Sequence, residues 1–237
     1  YRPETAQDYT SKVEHGGAVD NSTITGSITT AKGSTLTAKN IVVNAGSVTA
    51  DGTVNASVVY AFNGNVTLNG GGTITGSNNV AGETHADVAA VAQNGSTITA
   101  NNVDFTGEIR SDRNYAVITL NGGSVTSGKL YNEEGYTEMS ANGGTLTANN
   151  VKINSNVAAF NGGTVDINNS NVTAIEGIVA DGDGSVVNLE GSTDNIYTVG
   201  EYLLATQGGK ISILGGVLQE NALRSKMYNI KDEETGE

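Results

Sequence analysis

The stretch NGGTLTANNVKINSNVAAFNGGTVDI, residues 142–167, states a phrase and then restates it: NGGT returns after 19 residues with different letters in between. A chain that preserves position without preserving residues is built from stacked copies of one supersecondary unit. The first apolar residue after each Gly-Ser/Thr-type turn gives a working register of Leu36, Val66, Ile98, Val125, Leu146, Val165, Val186 and Ile211, spaced by 19 to 32 residues. Such spacing suits one unit with loops of variable length.

Within the unit, STLTAKNIVV, STITANNVDF and GTLTANNVKI place apolar residues at matching offsets: Leu36, Ile41 and Val43; Ile98, Val103 and Phe105; Leu146, Val151 and Ile153. The last two of each set are two residues apart and share one face of a strand. The first two are five apart, an odd step that no single strand tolerates, so a corner is expected at the Ala-x-Asn between them. Small apolar runs close each unit (VVYAF, VAAVAQ, YAVITL, VAAF, GIVAD, YLLAT) and read as strands buried between neighbours, with Ala permitting close approach. Three short strands and three corners then make one circuit. A circuit of about twenty residues buries its apolar side only when the next one stacks on it in parallel.

The predicted fold is therefore all-β: a right-handed parallel β-helix, or β-solenoid, of about eight coils over residues 16–216. It is preceded by an irregular segment, 1–15, and followed by a cap or linker with an acidic tail, 217–237. In that last segment Leu218, Ala222, Leu223 and Met227 have the spacing of a short amphipathic helix. The pairs Asn63-Gly64, Asn94-Gly95, Asn121-Gly122, Asn142-Gly143 and Asn161-Gly162 mark strand ends, because both residue types accept positive φ at low cost. Stacked Asn side chains are expected to bond to one another along the rod. A hairpin reading of Asn-Gly requires antiparallel flanks and fits the three-part pattern less well.

Composition narrows the function. With 32 Gly, one Pro, three Phe and no Trp, the chain lacks aromatic anchors for a large globular core. Its ordered Val, Ile and Leu alternation argues against disorder. Twelve Lys and Arg against 25 Asp and Glu give a net charge of -13, which repels phosphate backbones and argues against nucleic acid as a partner. Solubility is the plain reason for such a charge. Without cysteine there is no disulfide scaffold, and the redox compartment is left open. No long apolar run and no apolar signal core occur in the sequence, and the first residue is not Met, so a segment of a longer protein is expected.

The phrases NGGTLTANNVKI, NGGTVDINNSNVTA and NGGSVTSGKL resemble the passenger domains of bacterial autotransporters, over about residues 16–216. That resemblance implies display on the outer surface of the cell, from a membrane barrel that this chain does not contain. It implies adhesion to host cells, to other bacteria or to identical rods in a biofilm. Partners would be a surface protein or a glycan, with self-association of rods as a further expectation. Serine-protease members of the family carry a nucleophile motif that DGDGS, residues 181–185, matches only faintly.

Candidate contact residues come from the two excursions where intervals lengthen: Arg110, Asp112, Arg113 and Tyr115 on one, Tyr131, Glu133, Glu134 and Tyr136 on the next. Loops carry binding in solenoids, and Tyr among charges suits sugar or protein. One coil apart, the two excursions are expected to form a common patch. The rival class is a polysaccharide lyase or hydrolase on the same scaffold. NNVDFTGEIRSDRNY supplies Asp104, Glu108, Arg110, Asp112 and Arg113 for a Ca²⁺ site and a base, though alternating charges more commonly make a solvated loop. A purely structural stalk is the third reading. His85, near Glu83 and Asp87, and His15 read as surface residues. DGDG lacks the recurring period of Ca²⁺-binding rolls, and the Asn-x-Ser/Thr sequons follow from composition. The chain is thus read as non-enzymatic, with no cofactor and no metal.

Overall fold

The computed structural model describes residues 18–19, 23–24, 26–77, 87–128 and 136–220. Among these the chain forms strands and turns with no helix. Strand alternation is driven by apolar side chains at every second position, with β-branched residues filling the pleat.

Three parallel ladders run along the molecule, and each circuit contributes one strand to each. The first ladder has nine strands: Ser27–Thr30, Ser47–Ala50, Asn65–Leu68, Thr97–Asn101, Val117–Asn121, Thr145–Asn149, Thr164–Asn168, Val186–Glu190 and Lys210–Leu214. The second is built by residues 35–38 and 53–56, then Gly72–Ile74, Val103–Thr106, Ser124–Thr126, Lys152–Asn154, Asn171–Ala174, Ile196–Val199 and Val217–Glu220. The third runs from residues 40–44 and 58–62 through Val88–Gln93, Glu108–Asp112, Glu138–Asn142, Asn156–Phe160 and Gly177–Asp181 to Tyr202–Thr206. Ala18–Val19 and Thr23–Ile24 add a first strand to the second and third ladders. Nine strands in the first ladder mean eight steps between turns, a stack roughly 40 Å long at ~4.8 Å per step. This is the β-solenoid expected, and it continues past Gly216 by the strand Val217–Glu220, which places Leu218 opposite Tyr197 in a ladder instead of a helix. Ala222, Leu223 and Met227 lie outside the described residues.

The core consists of vertical files. In the first ladder Ile28, Val48, Val66, Ile98, Ile118, Leu146, Val165, Val187 and Ile211 stack one upon the next. All but the last of them are buried. Five residues of the sequence register, Val66, Ile98, Leu146, Val165 and Ile211, belong to this file. Leu36 and Val125 do not: they stack in the second ladder, over Val54 and between Phe105 and Ile153. Gly-Ser/Thr turns occur at two of the three corners, so the turn alone does not say which ladder follows. Val186 misses by one place, since of two adjacent valines only Val187 points inward, and a one-residue step reverses the face.

The same ambiguity explains the corners. Asn102 and Asn150 (φ 55° each) turn the chain from the first ladder to the second, at the expected Ala-x-Asn. In Ala38-Lys39-Asn40 the same wording leads from the second ladder to the third inside the single strand Thr35–Asn44, without a positive φ. Of the Asn-Gly pairs, Asn63, Asn94 and Asn161 take the left-handed conformation themselves. At residues 121–122 and 142–143 the glycine takes it. Gly163 is required for a second reason: a Cβ there would collide with the Ala141 carbonyl of the turn before.

Third-ladder strands from residues 58–62 to Gly177–Asp181 are largely buried on both sides. Inward, Val43, Ala61, Ala92, Ser111, Ala141, Ala159 and Ala180 form a file of small residues that brings the strands close to the opposite wall. Buried Ser111 fits because its hydroxyl donates to the Ala116 carbonyl at 2.7 Å. Outward, Val58, Val88 and Val91 make a second apolar cluster with Tyr60.

Candidate functional site

The outward face of the first ladder is uncovered and regular. Its central file is Thr29, Thr49, Thr67, Thr99, Thr119 and Thr147 over six successive turns, continued by Asp166, Asn188 and Ser212. Each Thr offers a hydroxyl and a methyl to solvent at a repeat of ~4.8 Å. None of the first six strands of this ladder contains a charged residue.

Along one edge of this face runs an amide ladder. Asn69 donates to Asp51 (2.8 Å), Asn101 to Asn69 (2.9 Å), Asn121 to Asn101 (2.8 Å), Asn149 to Asn121 (2.9 Å) and Asn168 to Asn149 (2.9 Å). Every side chain donates toward the preceding turn, and the series ends on a carboxylate that only accepts. Each amide fixes the side chain of its neighbour along this edge. Of the five Asn-Gly asparagines expected to stack, only Asn121 belongs to this ladder; Asn161 donates to Asn142 (2.6 Å) at a different corner.

The opposite edge carries the turn Arg113-Asn114-Tyr115, which joins the third ladder to the first. All three residues have positive φ, at 53°, 49° and 62°. Comparable corners elsewhere pair one non-glycine residue, Ala45, Asn63, Asn94, Asn161 or Gln207, with a glycine, whereas here three successive non-glycine residues hold a conformation that glycine would reach at less cost. Tyr115 is 91% exposed and stands off the rod. Beneath it, Asn114 donates to Asn94 at 3.3 Å.

The remaining predicted contact residues are placed differently. Arg110 is in a third-ladder strand, paired with Glu108 (2.6 Å) and Asp112 (3.6 Å). Asp112 is buried and accepts from Gln93 (3.0 Å) and Asn142 (2.9 Å), which makes it a joint between turns. Tyr136 is half-buried at the corner between second and third ladders, whereas Tyr115 lies at the far end of the third-ladder strand. A five-residue strand, about 16 Å, separates the two corners. The excursions are one turn apart, as expected, but leave the rod at opposite edges, so Tyr136 does not join Tyr115 in a common patch. Tyr131, Glu133 and Glu134 lie outside the described residues, as do His15, His85 and Glu83.

The lyase constellation is divided between two ladders. Asp104 is exposed on the second ladder, accepting from Ser124 at 2.7 Å, while Glu108, Arg110 and Asp112 alternate along the third. Among the described residues no three His, Asp or Glu side chains are placed to hold a metal ion. One carboxyl group missed in the sequence does stand out. Glu138 starts the third-ladder strand next to Asn156, and its pKa is pushed up to about 7 by burial and by the charges of Glu108 and Glu176, with Arg110 opposing. Glu176 in turn accepts from Asn156 at 2.7 Å. These residues come from separate turns, and no local motif announces them.

Comparison with family models, with curated proteins and with solved structures finds no match.

Proposed function

We propose that this chain is the β-solenoid of a surface-displayed bacterial adhesin of the autotransporter type. It would bind through the outward face of the first ladder and the Arg113–Tyr115 turn at its edge. One observation carries the reading: a chain of net charge -13 keeps the first six strands of this face free of charge, with Asp51 as the carboxylate at their edge, and lined by a continuous Thr file. Such a face suits an uncharged surface met through many modest polar contacts, with Tyr115 as a projecting anchor. The partner class is a glycan or protein on a host or bacterial surface, or the same face of a second rod, and the working location is the cell exterior.

The test is attachment of cells or beads displaying the full chain, with Thr67→Lys, Thr119→Lys and Tyr115→Ala compared with wild type. These positions face solvent, so folding is retained, and attachment is expected to fall at least fivefold in the Thr67→Lys/Thr119→Lys double variant. Undiminished attachment in all three would leave the segment as a stalk.

A second reading, a polysaccharide-active enzyme, is favoured by Glu138, a carboxyl group protonated near neutrality beside a second glutamate, as an acid catalyst requires. Its cost is that Glu108 is already held by Arg110. Release of reducing ends from acidic glycans by wild type, abolished in Glu138→Gln, would select it.

A further inference from the structure

The sequence has six Asn-Gly pairs: the five at strand ends, starting at residues 63, 94, 121, 142 and 161, and Asn69-Gly70. In this dipeptide the glycine nitrogen has no side chain in front of it and its backbone turns freely, so it can attack the asparagine amide. Ring closure needs two groups free at once: the Asn side-chain amide and the N–H of the glycine that follows. A fold that holds either one in a hydrogen bond must first open that bond.

The six sites differ in this respect. Asn69, Asn121 and Asn142 each donate to one turn and accept from the next. The N–H groups of Gly122 and Gly143 are engaged too, by the carbonyls of Asn149 (2.8 Å) and Phe160 (2.9 Å). Asn161 donates to Asn142, and the Gly162 N–H donates to Ser185 Oγ at 3.0 Å. Asn63 is exposed, but Gly64 is buried and its N–H donates to Ser96 Oγ at 3.2 Å. Asn94-Gly95 alone of the six has neither restraint. Gly95 is exposed, its N–H has no acceptor among the described residues, and a Cβ there would meet only the Asn114 carbonyl, at 3.6 Å. The Asn94 side chain makes one bond, accepting from Asn114 at 3.3 Å, and this leaves its nitrogen, the group that must depart, unheld.

We infer that Asn94 is a self-modification site, where the chain converts its own asparagine to aspartate and isoaspartate. The Gly95 nitrogen attacks Asn94 Cγ, the bond from Cγ to the side-chain nitrogen breaks, and that nitrogen leaves as ammonia with the proton from Gly95. A succinimide ring remains. Water then opens it: breaking the bond from Gly95 N to Cγ gives aspartate, and breaking the bond from Gly95 N to the main-chain carbonyl carbon gives isoaspartate. One water is consumed and one ammonia released, with no other reactant. Asn94 lies beneath the Arg113–Tyr115 turn and just before the strand Thr97–Asn101. Either product places a carboxylate there, and isoaspartate also adds a methylene to the path between third and first ladders. The first-ladder face thereby gains a charge at its Tyr115 edge as the protein ages, a consequence that rests on the binding face proposed above.

The test keeps the full chain folded in mildly alkaline buffer and maps it by peptide mass spectrometry, with a methyltransferase specific for isoaspartate as a second readout. Conversion at Asn94 is expected to run about fivefold or more ahead of every other pair, since each hydrogen bond to be opened slows closure by about that factor. In urea all six should convert at comparable rates. A lead by any other pair, equal rates in the folded chain, or no conversion at Asn94 while the unfolded chain reacts would each overturn the inference. Asn94→Asp, which carries one product from the start, is expected to lower attachment about threefold. Attachment equal to wild type, with conversion at Asn94 observed, would remove the consequence for binding and keep the site.

Discussion

The first and third ladders are made by the same chain in the same turns, yet they treat their outward sides in opposite ways. The first presents Thr, Ser and Asn to solvent, and its stability comes from the inward file alone. The third buries Val58, Val88 and Val91 on its outward side and sets Glu108, Arg110 and Glu138 beside them, so it behaves as a sheet with two interiors. Position on the solenoid therefore matters more than facing in or out. An outward substitution is tolerated on one wall and destabilising on another.

The largest effect should come from the shared core. Leu146→Asp places an unpaired charge in the main file and is expected to cost about 4–5 kcal/mol, unfolding the adjacent turns, as read by chemical denaturation and proteolysis. Its outward neighbour Thr147→Asp, which meets Asp166 of the next turn as a like charge, should cost about 0.5–1 kcal/mol. Next, Val91→Asp, although outward, should cost about 3 kcal/mol, whereas the outward Thr99→Asp on the first ladder should be nearly silent. Equal effects at residues 91 and 99 would abolish the distinction between the two walls.

The titration of Glu138 sharpens it. Its folded pKa, about 7, is above the ordinary 4.5, so the folded state binds the proton more tightly than the unfolded state. The penalty for ionising it is absent below pH 4.5, grows as pH rises and is complete above about 7. Glu138→Gln removes that penalty. It should stabilise the rod by about 2–3 kcal/mol at pH 8 and by almost nothing at pH 4, measured as the shift in denaturation midpoint. A loss smaller than that at residue 91 is expected in the amide ladder. Asn121→Ala breaks two of its bonds, at a cost of about 1–2 kcal/mol, because the groups left behind are only partly screened from water.

Much of this architecture is legible in the letters. Val66, Ile98, Leu146, Val165 and Ile211 announce the file they occupy, because it depends on spacing within one turn, whereas the five Asn-Gly pairs at strand ends contribute only Asn121 to the amide ladder. Assignment of a phrase to a wall is harder. Leu36 and Ile98 share their wording and stand in different ladders, since equal turn chemistry serves two corners. Tyr136 stands apart from Tyr115 for the same reason: a long interval says that a loop leaves the rod and not from which corner. Glu138 was invisible because its environment is assembled from Glu108, Arg110 and Glu176, whose coincidence depends on how many residues each intervening connection holds. The Thr file could have been found in advance, as every strand of the first ladder up to residue 149 places Thr two positions after its leading residue.

The series from Asn168 back to Asp51 has a sense as well as a length. Each amide hands its proton to the turn wound earlier and leaves its oxygen waiting for the one still to come, so a finished circuit is the mould for its successor but gives little to its predecessor. A strand of rope laid this way is wound from one end. For a polypeptide that reaches its folding site gradually, the winding order would be written into the side chains themselves, and a break near residue 51 would be felt by everything laid down afterward.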